Sequence, residues 1–193
     1  MTRPDPLPGS HDRDEPARRL FFALWPDREL IESLRHRLPG LLKAVKGRIL
    51  TPPQWHVTLE FLGNVAESRL DELRSMAGAL QGETIDLSFD RLEHWRRPRL
   101  ICLSASVTPR ALAGLVGDLR KTLRDSDFRV DERDYKPHLT LARNVRRAPP
   151  RASIDPLAWH ADSFALVESV TDRAGAVYRP LAQWPLKSDG AAA

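Results

Sequence analysis

The sequence predicts an α+β fold built from two similar lobes of antiparallel sheet and helices around a central cleft. Two observations lead to this prediction. One four-residue word occurs twice, as His56-Val57-Thr58-Leu59 and as His138-Leu139-Thr140-Leu141. Each half of the chain also offers a helix, one strand that carries this word and a hairpin. A diverged internal duplication explains both observations; the alternative is a single α+β sheet in which the repeat is accidental.

The first half begins with an apolar strand over 18–25, followed by a helix that opens at Pro26-Asp27. The apolar side of this helix comprises Leu30, Ile31, Leu34 and Leu38. The first copy of the word lies on a strand over 55–62, which we expect to end at Gly63-Asn64. A second helix follows over 68–80. Its apolar side comprises Leu70, Leu73, Ala77 and Leu80.

The second half begins with a hairpin whose strands cover 85–95 and 99–105. A third helix follows, with an apolar side formed by Leu112, Leu115, Leu119 and Leu123. The second copy of the word starts a strand directly after Lys136-Pro137, because the residue before a proline disfavours helix. A closing hairpin joins strands over 163–170 and 176–184.

Both ends of the chain differ in composition from the segment between them. Residues 1–17 are rich in Pro, Asp and Arg, and 187–193 end in Gly-Ala-Ala-Ala. Neither end has enough apolar residues to join a core, so both are predicted to be disordered tails. The predicted folded body is one domain that runs from Arg18 to Leu186.

The composition, 41% apolar and 29% charged residues, is typical of a soluble globular protein. The chain has no apolar run of the length that a bilayer requires, and its N-terminus lacks the apolar centre of a signal peptide. We therefore expect a cytoplasmic monomer that contacts no membrane. Cys102 is the only cysteine, which excludes disulfides within the chain and metal sites built on several thiolates. Its apolar neighbours predict that it is buried and inert.

Positive charge favours an anionic partner. The formal net charge is +4 and the sequence pI is about 9.6. Two basic clusters stand out, Arg96-Arg97-Pro98-Arg99 and Arg143-Asn144-Val145-Arg146-Arg147. The first is best explained as a solvated hairpin turn. Arg143 is a better candidate for a function, since it directly follows the second copy of the repeated word.

The repeated word suits acid-base catalysis on a phosphate ester. On an extended strand, residues i and i+2 share a face, so His56 and Thr58 emerge together, as do His138 and Thr140. One imidazole can take a proton from water while the other gives a proton to the leaving oxygen. The threonine hydroxyls can donate to phosphate oxygens, and an arginine can offset the charge that develops. This chemistry needs no metal, and the remaining histidines, His11, His36, His94 and His160, show no metal-ligand spacing.

With these residues the chain resembles the 2H phosphoesterase superfamily, and within it the RNA 2',3'-cyclic phosphodiesterases, also called 2'-5' RNA ligases. The resemblance covers nearly the whole predicted body. It rests on the segments Arg19-Leu20-Phe21-Phe22-Ala23-Leu24, Trp55-His56-Val57-Thr58-Leu59-Glu60-Phe61-Leu62-Gly63 and Pro137-His138-Leu139-Thr140-Leu141-Ala142-Arg143.

The resemblance implies a bilobal fold and hydrolysis of an RNA 2',3'-cyclic phosphate to a 2'-phosphate, without a metal or nucleotide cofactor. It implies that His56 is the general acid and His138 the base, although the symmetry of the pair permits the reverse. Thr58, Thr140 and Arg143 would bind the phosphate. It also implies that some relatives join RNA ends through a 2'-5' bond without ATP, by running the same chemistry backwards.

The resemblance assigns no role to four further residues, Phe21, Trp25, Trp55 and Glu60. Trp55 and Glu60 depart from the residues that often occupy these positions in the family. Trp25 and Trp55 are candidates for stacking on a nucleobase, whereas Phe21 is expected in the core. Glu60 follows the alternation onto the face of His56 and is expected either to orient that histidine or to lie at the edge of the cleft.

Two other functions remain open from the sequence. The first is an RNA-binding module without catalysis, which would use Arg96, Arg97, Arg99, Arg146 and Arg147 as a phosphate-binding surface. The second is a 2H phosphoesterase that acts on small cyclic nucleotides or on 2'-5' oligonucleotides.

Overall fold

The computed structural model describes residues 15–147, 152–172 and 175–187. Most of both predicted tails lies outside these ranges. The first strand begins at Ala17, one residue before the predicted start of the folded body, and Glu15 accepts a hydrogen bond from the backbone N–H of Ser68. No helix in the described part of the chain is both long enough and apolar enough to cross a membrane.

The described residues form three α-helices and nine strands. The helices are α1 (Arg28–Leu42), α2 (Leu70–Ala79) and α3 (Arg110–Asp125). The strands are β1 (Ala17–Leu24), β2 (Lys46–Ile49), β3 (Val57–Ala66), β4 (Ile85–Trp95), β5 (Leu100–Ser104), β6 (His138–Arg147), β7 (Ala152–Ala161), β8 (Ser163–Asp172) and β9 (Gly175–Pro185). The helix α1 begins directly after the predicted opening at Pro26-Asp27, and Asp27 caps it, because its side chain accepts a hydrogen bond from the N–H of Leu30.

The strands form one sheet with two halves. The order is β7-β4-β5-β6-β3-β1-β8-β9, and β2 adds to β6. Each half is an antiparallel four-stranded unit, and the halves meet where β3 pairs with β6. The one registered pair there is Val57 with Leu139, the second residue of each copy of the word. The α+β prediction of two similar lobes is confirmed, and the lobes share one sheet.

The two faces of the sheet have different roles. Alternate residues of β1 show this division, since Leu20 and Phe22 lie in the main core whereas Phe21 and Ala23 lie in a small separate cluster on the other face. All three helices contribute to the main core. The small cluster includes Ala165 and Val167 of β8 and has Trp25 and Tyr178 packed against it. The face without helices is therefore where a cleft can form.

Two strands were not predicted, and one ended in the wrong place. The strand β2 is short and polar, and β7 contains Pro156 among exposed residues, so neither has a strong strand pattern. The predicted end of β3 at Gly63 is wrong. Gly63 has φ of 73° and lies at a register shift between β1 and β3, where it forms a bulge that lets the strand continue to Ala66.

Candidate active site

The two copies of the repeated word meet at the joint between the half-sheets. Because Val57 pairs with Leu139 in antiparallel register, each histidine lies next to the threonine of the other copy. Val57 and Leu139 are fully buried in the helix-covered core. The histidines and threonines therefore lie on the opposite face, and a local two-fold axis passes between the two strands.

A turn of 3₁₀-helix positions His56. The turn covers Pro52–Gln54, and the carbonyl of Gln54 accepts a hydrogen bond of 3.0 Å from Nδ1 of His56. The Gln54 amide in turn donates to the carbonyl of Ala176 at 2.9 Å. Trp55 is 2% exposed and its Nε1 donates to the carbonyl of Leu50. The prediction that Trp55 stacks on a nucleobase is wrong, because its ring fills the core beneath the turn.

The loop before β6, residues 126–137, positions His138 in the same way. The carbonyl of Lys136 accepts a hydrogen bond of 2.8 Å from Nδ1 of His138.

Glu60, whose carboxyl is fully buried, accepts from Arg120 at 2.6 Å and from the N–H of Asp131 at 2.8 Å. The hydroxyl of Tyr135 donates to the carbonyl of Thr58. The strand that follows His56 thus anchors the loop that precedes His138, and Glu60 contacts this loop instead of orienting His56.

Both histidines have the same tautomer when neutral. A carbonyl oxygen only accepts hydrogen bonds, so Nδ1 carries the proton in both rings and Nε2 is left with a lone pair. Burial is the main cause that lowers the pKa of His56 to about 4, and positive charge on Arg143 and His138 acts in the same direction. Burial also lowers the pKa of His138, together with Arg143. Burial therefore favours the neutral form of both rings in the free protein.

Aromatic rings restrain both imidazoles. Phe21 and Tyr178 each lie 4.9 Å from the His56 ring, and Trp25 stacks nearly parallel to it at 6.0 Å, as measured between ring centroids. Phe21 is buried, as predicted.

Trp95 contacts the other catalytic candidate: its ring lies 4.5 Å from the His138 ring, and its indole N–H donates to Glu93. Sequence reasoning missed Trp95 and Tyr178, because only the strand order brings them to the histidines.

A cavity of about 300 Å³ opens on the His56 side; we call it the arginine cavity. Its polar lining consists of Arg19, Arg48, Arg143, His56, Thr58, Ser169, Thr171 and Tyr178. Arg143 lies here because of a bulge in β6. The register between β5 and β6 shifts around Leu141, so that Arg143 returns to the face of the histidines although it is three residues after Thr140.

A larger cavity of about 810 Å³ opens on the His138 side; we call it the loop cavity. It is bounded by residues 131–136 of the loop, by Trp95 and by His138. Thr58 and Phe61 line both cavities, so the two cavities lie on either side of them. Thr140 is buried between β5 and the joint. The structure thus brings all five predicted catalytic and phosphate-binding residues to one face.

The remaining candidates lie elsewhere. Within the described ranges, no group of three or more His, Cys, Asp or Glu side chains is arranged to hold a metal ion. Cys102 is buried as predicted, and burial raises the pKa of its thiol to about 12. His160 is exposed and bonds to Asp86, while His11 lies outside the described residues. The turn that contains Arg96, Arg97 and Arg99 is exposed.

The model of one protein family, described as LigT-like phosphoesterase, matches the chain in two successive segments, 24–102 and 103–178. Together these matches span most of the chain. The chain belongs to the LigT-like phosphoesterase family. Each segment contains one copy of the His-x-Thr word, which agrees with an internal duplication and confirms the family resemblance drawn from the sequence.

Two curated RNA 2',3'-cyclic phosphodiesterases are similar to this chain over nearly their whole length. The RNA 2',3'-cyclic phosphodiesterase of Escherichia coli (strain K12) is 30% identical over 172 residues, which cover 87% of this chain and 96% of that protein. The RNA 2',3'-cyclic phosphodiesterase of Thermus thermophilus is 27% identical over 184 residues, which cover 89% and 91%.

Solved structures of the LigT-like family share the fold. The crystal structure of Escherichia coli LigT complexed with 3'-AMP superimposes with a TM-score of 0.76 at 29% identity, covering 89% of this chain and 99% of that one. A crystal structure described only as a phosphoesterase gives a TM-score of 0.79 at 29% identity and covers 90% and 100%. The predicted bilobal 2H phosphoesterase fold is therefore confirmed.

Proposed function

We propose that this protein hydrolyses the 2',3'-cyclic phosphate at the end of an RNA to a 2'-phosphate, with His56 and His138 as its acid-base pair. One observation carries the proposal. Two imidazoles, each held through Nδ1 by a carbonyl two residues before it, lie beside hydroxyl and guanidinium donors at the joint of the sheet. The names of the curated relatives support the choice of substrate.

The two cavities suit a displacement in which the attacking and leaving oxygens lie on opposite sides of phosphorus. His138 takes a proton from water at Nε2 as the water oxygen bonds to phosphorus. The bond from phosphorus to the 3' oxygen breaks, and that oxygen takes the proton from Nε2 of His56. Thr58, Thr140 and Arg143 donate to the phosphate oxygens throughout. Exchange of protons with solvent then restores both rings.

The direct test is to incubate the protein with a short RNA that ends in a 2',3'-cyclic phosphate and to separate the 2'-phosphate and 3'-phosphate products. We expect 2'-phosphate alone, formed equally well in EDTA. An RNA that is bound without turnover would instead support the binding-module alternative. A second RNA with a free 5'-hydroxyl, added at high concentration, tests 2'-5' ligation. The volume of the loop cavity, on the side where water attacks, favours entry of such an alcohol.

The lowered pKa values of the histidines predict an acidic pH optimum. The active form needs one histidine protonated and the other neutral, which gives a bell-shaped profile. A lowered pKa means that the acid holds its proton only at low pH, so kcat/KM should reach its maximum below about pH 6.5 and fall through the neutral range. The kcat profile should lie at higher pH, because a bound phosphate anion raises the pKa of a nearby histidine.

Steady-state rates between pH 4.5 and 9, in buffers of constant ionic strength, measure both profiles. The control is His160→Asn, which removes an exposed histidine outside the cleft and should leave both profiles unchanged. A kcat/KM maximum above about pH 7 would contradict the assignment of two histidines with lowered pKa values as the catalytic pair.

A further inference from the structure

The arginine cavity contains more positive charge than a cyclic phosphate can balance. A 2',3'-cyclic phosphate is a diester and has one negative charge. Three arginines line the cavity, and its described lining includes no Asp or Glu. Within the described ranges, no carboxylate pairs with Arg19 or Arg143. The two positive charges of Arg19 and Arg143 alone exceed the single negative charge of the diester.

The sheet register places two of these arginines directly opposite each other. Arg48 of β2 pairs with Arg143 of β6 in the antiparallel register, and both residues line the arginine cavity. The Arg48 side chain is held in place from the other side, since its guanidinium packs against Gly175, where a Cβ would collide with Nη1.

Arg19 enters the same cavity from the far side of β3. It lies on β1, whereas Arg143 lies on β6, and β3 separates these strands. Its guanidinium stacks on the ring of Phe61, which is 46% exposed at the cavity rim. The hydroxyls of Ser169 and Thr171 line the cavity as well. This side of the cavity offers an anion both charge and neutral donors.

We propose that Arg19 and Arg48, with Ser169 and Thr171, form a second phosphate-binding subsite that selects substrates carrying another phosphate beside the cyclic one. The nucleoside that bears the cyclic phosphate has one further position for phosphate, its 5' oxygen. The ligand is therefore a cyclic-phosphate nucleotide with a phosphate on that oxygen, either a terminal monoester or the diester of an RNA chain. This inference rests on the proposed function and specifies its substrate.

The test compares three substrates: adenosine 2',3'-cyclic phosphate, the same molecule with a 5'-phosphate, and a dinucleotide that ends in a 2',3'-cyclic phosphate. The readout is the ratio of kcat/KM for each two-phosphate substrate to kcat/KM for the first. We expect a ratio of about ten or more at low salt, since each charge-assisted hydrogen bond contributes about tenfold. In Arg19→Gln and Arg48→Gln the ratio should fall to about two. If the ratio is raised only for the substrate with a 5'-phosphate, the subsite prefers a terminal monoester. If it is raised only for the dinucleotide, the subsite prefers the diester of an RNA chain.

The matched control is Arg35→Gln, which removes the same charge from an exposed position on α1 and should keep the wild-type ratio. A substitution that only impairs folding lowers kcat/KM for all three substrates by the same factor, so it does not change the ratio. A wild-type ratio near one, or a ratio that survives both substitutions, would overturn the subsite while leaving the proposed hydrolysis intact. If none of the three substrates turned over, the proposed function would fail. Calorimetric binding of adenosine 2',5'-bisphosphate against adenosine 2'-phosphate would then still decide whether the subsite exists.

Discussion

Replacing either histidine of the pair with asparagine is expected to reduce kcat about 10³- to 10⁴-fold. General acid-base catalysis by one positioned group contributes a factor of this size. Asparagine is the informative replacement, because its amide nitrogen lies close to the place of Nδ1. Its amide can still donate to the carbonyl of Gln54 or of Lys136. Asparagine has no atom at the position of Nε2. The local backbone is thus preserved and only the proton-transfer atom is removed.

Single-turnover kinetics with a cyclic-phosphate RNA measure these losses, and thermal unfolding shows whether the variants remain folded. The matched control is His36→Asn, which changes an exposed histidine on α1 and should retain wild-type kcat. In the double variant His56→Asn/His138→Asn, the loss should be much smaller than the product of the two single losses, because the two groups act in the same step. If either single variant kept more than about a tenth of wild-type kcat, the two-histidine mechanism would be wrong.

The strength of the local pattern decided how much of the fold could be predicted. The helix α3 buries Leu112, Leu115, Leu119 and Leu123 as its spacing predicted. The strands β4 and β5 lie close to the predicted hairpin for the same reason. The strand β2 was missed because its pairing with β6, rather than its own residues, holds it in the sheet.

Local sequence patterns also decided which residues of the candidate site could be predicted. Both histidines and both threonines could be identified from a repeated word and the alternation of a strand. That alternation also contained the signal that Trp55 belongs in the core, since Trp55 shares its parity with Val57 and Leu59. By contrast, Arg19, Arg48 and Tyr178 come to the cleft from strands distant in the chain. Their positions depend on the strand order and on bulges, neither of which a local pattern encodes.

A change of leaving group should reveal which histidine is the acid. Burial disfavours a proton on His56 in the free protein, whereas the family resemblance makes His56 the acid. His56 lines the arginine cavity, and a phosphate anion bound there favours the protonated form of its ring. Substrate binding thus reconciles the lowered pKa of His56 in the free protein with its role as the acid. A substrate with sulfur in place of the bridging 3' oxygen releases a thiolate, which needs no proton from the enzyme.

We therefore expect His56→Asn to regain about 10²- to 10³-fold in rate on the sulfur substrate relative to the oxygen substrate, as the missing acid is no longer required. His138→Asn should gain little, because water must still lose its proton. Wild-type protein on both substrates provides the reference for the intrinsic reactivity of the sulfur ester. Rescue of His138→Asn but not of His56→Asn would reverse the assignment. The joint of the sheet makes that reversal geometrically possible, since its local two-fold axis exchanges the two histidines.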